Sequence, residues 1–272
     1  MCIRDSPGSD QDPPSSAARA PSAAVVLVAA GSSTRMGPSP NQEGRGGPAG
    51  PAGPDRAARR KPLIEIDGRP LIEHTLAALD ACRAVVEVIL VAHADDVLTF
   101  QRLCAERPVY AKVRAVVAGG AERADSVDIG TSWCSFAVDV IAVHDAARPL
   151  VTPELIEECV RAAAQSGGAL VAVPLQDTVK VAPDGERAQR TLDRTTLWSA
   201  QTPQAFRARR FREVLRRAAA DDFRPTDDAA VWERYVGPVT IVRGSIANLK
   251  VTTPADLSVA GALLRERAGE PR

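Results

Sequence analysis

The chain has 272 residues, 45% of them apolar, enough for one large α/β domain with a full-sized core. Its 34 basic residues balance 34 acidic ones, which disfavours a general binder of nucleic acid or membrane surface, since such proteins carry a basic excess. Five scattered cysteines (Cys2, Cys82, Cys104, Cys134, Cys159) form no C-x-x-C pair and suit reduced thiols in the cytoplasm, and three histidines (His74, His93, His144) give no zinc-type spacing.

Residues 1–22 are rich in Pro, Ser, Ala and Asp and lack both apolar periodicity and the continuous apolar stretch of a secretory signal. They read as a disordered tail, or as sequence outside the true start, with the folded domain over 23–272. No apolar run is long enough to span a bilayer. The run 24–30, ending at Gly31, predicts a strand buried on both faces. Residues 38–58, dense in Gly, Pro, Ala and Arg, predict a mobile insertion loop. Beyond it the pattern predicts helices over 71–82, 95–106, 123–133 and 153–165, alternating with strands over 86–92, 113–117, 138–143 and 169–173. Thr152 followed by Pro153 is an N-cap with an N1 proline.

Strands alternating with helices predict a mostly parallel sheet with helices on both faces, whose ligand lies along the edge where the strands end. Residues 174–200 break the rhythm. Two strand-like stretches, 178–181 and 189–192, flank Pro183-Asp184-Gly185 and predict a projecting β-hairpin arm, with an edge hairpin of the main sheet as the plainer reading. Helices near 207–219 and 226–235, a strand over 239–242 and a terminal helix from Pro254 complete the expectation.

Several segments carry chemistry. The first strand runs into Ala29-Ala30-Gly31-Ser32-Ser33-Thr34-Arg35-Met36-Gly37, whose small residues let backbone N–H groups approach phosphates. It matches neither a Walker A loop nor the dinucleotide fingerprint. The chain has four lysines (Lys61, Lys112, Lys180, Lys250) against thirty arginines, so each Lys draws notice as a compact charge suited to a crowded triphosphate site. Gly119-Gly120-Ala121-Glu122-Arg123-Ala124-Asp125-Ser126 joins a strand to a helix N-terminus, which favours a polar or anionic group. In His144-Asp145-Ala146-Ala147-Arg148-Pro149 the carboxylate can hold Mg²⁺, the alanines leave room for a nucleotide and Arg148 can meet a second phosphate. Asp193-Arg194, Thr202-Pro203-Gln204, Thr226-Asp227-Asp228 and Asn248-Leu249-Lys250-Val251-Thr252 are unexceptional one by one.

In this order A-A-G-x-x-x-R-M, K-P, G-G-x-E-R-A-D-S, V-H-D-A-A-R-P, D-T, D-R, T-P-Q, T-D-D and N-L-K-V-T resemble the 2-C-methyl-D-erythritol 4-phosphate cytidylyltransferase family, from about residue 23 to the C-terminus. The resemblance implies a Rossmann-like nucleotidyltransferase fold in the non-mevalonate isoprenoid pathway, using CTP, methylerythritol phosphate and Mg²⁺. It implies that Arg35 and Lys61 stabilise charge at the α-phosphate, and that Ala29, Ala30, Gly31, Gly120 and Ser126 form the cytidine pocket. Asp145 would serve the metal and the ribose–phosphate region. Arg194 and Lys250 would position the acceptor phosphate, with Arg148, Thr178, Thr202 and Thr226 nearby. The arm 174–200 resembles a dimerisation arm, which implies a homodimer with Thr178 reaching a neighbouring site.

The sequence departs from the family at Ala121, where an acidic residue is frequent, at Pro62, where a polar residue is frequent, and in the long span from Arg35 to Lys61. Three other readings stay open. One is a cytidylyltransferase for another polyol phosphate such as ribitol 5-phosphate. Another is a sugar-nucleotide transferase or glycosyltransferase, although no D-x-D motif occurs from residue 23 onward. The last is a non-catalytic nucleotide-binding protein. Because the sequence stops at Arg272, a single activity is expected, without the fused cyclase of bifunctional relatives.

Overall fold

Strand β1 (Ala23–Ala29) shows how the sheet is covered. Side chains alternate along a strand, and here Ala23, Val25, Leu27 and Ala29 enter one apolar cluster while Ala24 and Val26 enter another. A strand buried on both faces needs an unbroken apolar run, which this stretch supplies. The computed structural model describes residues 19–31, 61–107 and 110–269; Arg35 and the predicted insertion 38–58 lie outside the described residues. Residues 19–22, grouped above with a disordered tail, are instead tied down: the Asp139 carboxylate accepts from the Ser22 N–H at 2.8 Å and from Arg19 at 2.9 Å.

After Lys61 come a small hairpin of β2 (Glu65–Ile66) and β3 (Arg69–Pro70), then α1 (Leu71–Ala81), β4 (Val85–Ala92), α2 (Val97–Glu106), β5 (Val113–Ala118) and α3 (Arg123–Trp133). There follow β6 (Val140–Asp145), α4 (Pro153–Ser166) and β7 (Gly168–Pro174). The hairpin of β8 (Lys180–Val181) and β9 (Arg190–Thr191) precedes β10 (Trp198–Arg207), α5 (Ala208–Ala220), α6 (Asp228–Tyr235), β11 (Thr240–Arg243) and α7 (Pro254–Ala268). Strand order in the seven-stranded sheet is β11-β7-β10-β6-β1-β4-β5. Helices α1, α2 and α4 cover one face; α3, α5 and α6 cover the other. On the second face Phe206 stacks on Phe211 and Trp232, with ring centroids 4.5 and 5.3 Å apart.

The expected α/β sheet is therefore present and mostly parallel: only β10 runs against its neighbours β6 and β7. That strand is missing from the sequence reading. Its polar Gln201-Thr202-Pro203 stretch argues against a central strand, because proline cannot donate to a ladder. The structure resolves the conflict with a register break. Trp198–Ala200 and Gln204–Phe206 pair with β7, and the residues between them do not. The flanks of the predicted arm, residue 174 and residues 198–200, accordingly belong to the main sheet, while β8 and β9 form a separate two-stranded ladder.

Candidate active site

The strands β1, β4, β5 and β6 end along one edge of the sheet, and their following turns converge on a cavity of about 490 Å³. Its lining includes Ala29, Ala30 and Gly31 after β1, His93 after β4, Gly120 to Glu122 after β5, and Ala146 and Ala147 after β6. Lys61, Arg123, Ser126, Asp145 and Lys250 line it too.

The turn after β5 is held from inside. The Ser126 hydroxyl, 1% exposed, accepts from the Gly120 N–H at 3.2 Å and donates to the Glu122 carbonyl at 3.1 Å. The Asp125 carboxylate accepts from the Glu122 N–H at 2.9 Å. A Cβ on Gly120 would fall 2.3 Å from that of Asp125, and one on Gly119 would fall 2.5 Å from the Ser126 hydroxyl. Both positions require glycine for close approach.

Asp145 is the last residue of β6, and cations hold both of its oxygens. Lys250 Nζ lies 2.8 Å from Oδ2, and Arg123 Nε lies 3.3 Å from Oδ1. Arg123 spends its other two nitrogens on Asp228, at 3.1 and 2.7 Å, a bidentate fork. Burial opposes ionisation of Asp145, but Arg123 and Lys250 overcome it and hold the carboxyl well below the usual carboxylate range. Burial likewise opposes the charge on Arg123, and Asp228 and Asp145 outweigh it. Burial pushes Asp228 up, against the pull of the Arg123 fork.

Behind Asp145 stands a polar brace. Thr202 Oγ1 accepts from the Asp145 N–H at 3.1 Å and shares a hydrogen bond with His144 Nδ1, 3.0 Å away. Burial brings the His144 imidazole down to about 4, leaving it neutral at physiological pH. Asn248 Nδ2 donates to the Thr202 carbonyl at 3.0 Å and to Gln201 Oε1 at 3.1 Å. The register break in β10 thus frees groups that fasten the Lys250 segment to the sheet. Val251 N–H adds a bond to the Ala147 carbonyl at 2.8 Å.

The cavity brings together Ala29, Ala30, Gly31, Lys61, Gly120, Ser126, Asp145 and Lys250 of the residues expected from the sequence. Thr202 lies one bond behind them. Arg148, expected to meet a phosphate, is 8% exposed and is not among the lining residues; its Nη1 donates to the Asn248 carbonyl at 2.7 Å, bracing the segment that carries Lys250. Thr178, Arg194 and Thr226 are exposed and also lie outside the lining, Arg194 donating to the Gln176 carbonyl. Arg35 lies outside the described residues.

Sequence reasoning missed Arg123 and Asp228 as site residues. A signal was present, because Arg123 is the first residue of α3, where the helix dipole disfavours a cation. The two carboxylates it faces explain that choice.

Among the described residues no three His, Cys, Asp or Glu side chains cluster as a metal site. Mg²⁺ is commonly held by one or two carboxylates together with substrate phosphates. Asp145 on the cavity wall fits a Mg²⁺ that arrives with a polyphosphate, and does not fit an all-protein cage.

Residues 48–266 match the family model described as 2-C-methyl-D-erythritol 4-phosphate cytidylyltransferase. The chain is 40% identical over 215 residues to the protein of that name from Syntrophus aciditrophicus, covering 79% of this chain and 92% of the relative. It is 39% identical over 246 residues to its namesake from Pelotomaculum thermopropionicum, covering 90% and 95%. The solved structure of the enzyme of the same name from Thermus thermophilus superposes with a TM-score of 0.67 at 30% identity, over 90% of this chain and 99% of that one. By sequence, fold and site together, this chain belongs to the 2-C-methyl-D-erythritol 4-phosphate cytidylyltransferase family.

Proposed function

We propose that the chain transfers the cytidylyl group of CTP to 2-C-methyl-D-erythritol 4-phosphate, giving 4-diphosphocytidyl-2-C-methyl-D-erythritol and pyrophosphate for isoprenoid precursors. The observation that carries this reading is the convergence of Lys61, Lys250 and Asp145 with the Gly31 and Gly120 turns on one cavity. An oxygen of the acceptor phosphate attacks the α-phosphorus as the bond to the pyrophosphate oxygen breaks. No proton needs to be removed from an ionised phosphate, so positioning and charge stabilisation carry the catalysis. Lys61, with Arg35, meets the charge growing on the α-phosphate. The turn held by Ser126 and the Ala29-Ala30-Gly31 turn receive the nucleoside. Lys250, with Arg194, orients the acceptor phosphate. Asp145 would hold Mg²⁺, which when bound offsets phosphate charge.

The arm 174–200 joins a second copy of the chain in this reading, and Thr178 serves the neighbouring site. What supports this is the separate β8–β9 ladder with its exposed residues, and that neither Thr178 nor Arg194 lines the cavity of its own chain. We place the enzyme in the cytoplasm. The four described cysteines are free, and among the described residues no helix is long and apolar enough to cross a membrane.

Pyrophosphate release from CTP and Mg²⁺ tests the assignment with each of two acceptors. Release with methylerythritol phosphate and not with ribitol 5-phosphate is the expected result. Release with ribitol 5-phosphate alone overturns the acceptor, and CTP binding without release in either case revives the non-catalytic reading.

A further inference from the structure

Lys61 and Lys250 come from opposite ends of the domain, and neither lies on a strand of the seven-stranded sheet. Hydrogen bonds from Asn248 and Val251 fasten the Lys250 segment to the sheet, and apolar packing adds a second tie that also reaches the segment after Lys61. Apart from the two clusters that cover the sheet faces, a third apolar cluster contains Ile66, Leu71, Leu150, Val251 and Ala260, ringed by Leu249, Leu257, Leu263 and Leu264. Ile66 is 4% exposed and the other four core members are fully buried. Apart from Leu71, which begins α1, each core member from outside α7 belongs to a segment that carries a site residue. Val251 adjoins Lys250, Leu150 follows the Asp145 turn, and Ile66 lies on the hairpin just after Lys61.

The fourth contributor is α7, and its placement is tightly determined. It starts at a capping box in which Thr253 Oγ1 accepts from the Asp256 N–H at 3.3 Å and the Asp256 carboxylate accepts from the Thr252 and Thr253 N–H groups at 2.8 Å each. Arg267 Nη1 donates to the Leu150 carbonyl at 2.8 Å, and Arg265 Nη1 meets Asp67 Oδ1 at 2.5 Å. A Cβ on Gly261 would lie 3.4 Å from Ile66 Cγ2, so the helix sits close against the hairpin. One helix therefore touches all three segments that bear Lys61, Asp145 and Lys250.

We propose that α7 and this third cluster form a positioning device that fixes Lys61 and Lys250 relative to Asp145, with Ile66, Leu150, Val251 and Ala260 as positioning residues that never meet substrate. This inference rests on the transfer reaction proposed above for the roles of the two lysines. Its physical basis is that close-packed interiors transmit small displacements, and that a reacting group moved by about 1 Å can lose about a hundredfold in rate.

The test compares Ile66→Ala with Val160→Ala, which truncates a fully buried side chain of α4 in the main core, away from the cavity lining. Turnover is measured well below the lower Tm of the pair. Ile66→Ala is expected to lower kcat by about tenfold or more with CTP affinity unchanged, because the nucleotide turns are anchored on the sheet. Val160→Ala should keep kcat despite its loss of Tm, and the conservative Ile66→Val should restore most of the rate. If Ile66→Ala does not fold, the surface change Arg265→Ala takes its place, with a smaller loss of kcat at an almost unchanged Tm. Equal turnover in the cluster variant and Val160→Ala overturns the proposal.

Hydrogen exchange of the ligand-free protein gives a readout that does not depend on the reaction. Residues 249–251 should exchange faster in Ile66→Ala than in wild type or Val160→Ala, and unchanged exchange there overturns the mechanical link. A wild type that releases no pyrophosphate would instead refute the proposed reaction, leaving the exchange experiment to decide this inference.

Discussion

The wall of the cavity and the arm are built on opposite principles. The wall is made of turns whose donors are fixed by buried partners: Ser126 under Gly120, Thr202 under Asp145, Asn248 under Thr202. Between its flanks in the main sheet, the arm carries Thr178 and Arg194 as exposed residues beside a separate two-residue ladder. Stabilising charge on a triphosphate rewards donors that do not reorganise, so that half is tied into the core. On the reading proposed above, recognition of the acceptor falls to the exposed arm, whose contacts need not be fixed before the acceptor binds.

If the two regions differ in this way, substitutions in them should have unlike effects. The largest effect is expected at Arg123. Arg123→Met strands Asp228, 3% exposed, without its counter-charge and should cost about 3–5 kcal/mol by denaturant unfolding. Combining it with Asp228→Leu should recover most of that loss; purely additive losses would show that the ion pair is not the cause. Next come the lysines. Lys61→Ala or Lys250→Ala should lower kcat by about a hundred- to a thousandfold without a matching fall in Tm. A smaller, differently partitioned effect is expected on the arm. Arg194→Ala or Thr178→Val should raise the KM for the acceptor about tenfold while CTP affinity, read by calorimetry, stays constant. A parallel loss of CTP affinity would erase the distinction between the two regions.

The smallest effect lies far from both, where Asp139 receives Ser22 and Arg19. The Ser22 N–H, aided by Arg19, holds this carboxyl below its ordinary value of 3.8. A lowered folded value means that its contribution is present above pH 3.8 and is lost as pH falls through the folded value. Asp139→Asn should therefore lower stability at neutral pH by about 1 kcal/mol or less, and the difference from wild type should shrink in acid.

Much of the fold was legible because doubly buried strands leave unbroken apolar runs, as 24–30 and 86–92 do. Strand β10 was not, since its middle is polar and contains Pro203, and the reason for those residues lies in partners elsewhere: Asp145, His144 and Asn248. The β2–β3 hairpin was overlooked although Asp67-Gly68, both at positive φ, is a turn pair readable from sequence. In the site, Lys61, Asp145 and Lys250 stood out as residue types suited to phosphate and metal chemistry. Arg148 looked equally suitable and proved to be a brace, because burial and a carbonyl partner cannot be read from residue type alone. Arg123 was the converse, a cation at a helix start that becomes intelligible only when Asp228 arrives from the other side of the chain.

Phosphorus NMR of a mixture of the protein, CTP, Mg²⁺ and methylerythritol phosphate follows the proposed transfer itself. A diphosphate diester and pyrophosphate are expected to accumulate in equal amounts as CTP and acceptor disappear together. CTP converted to CMP with the acceptor untouched, or no change while CTP is bound, would contradict it.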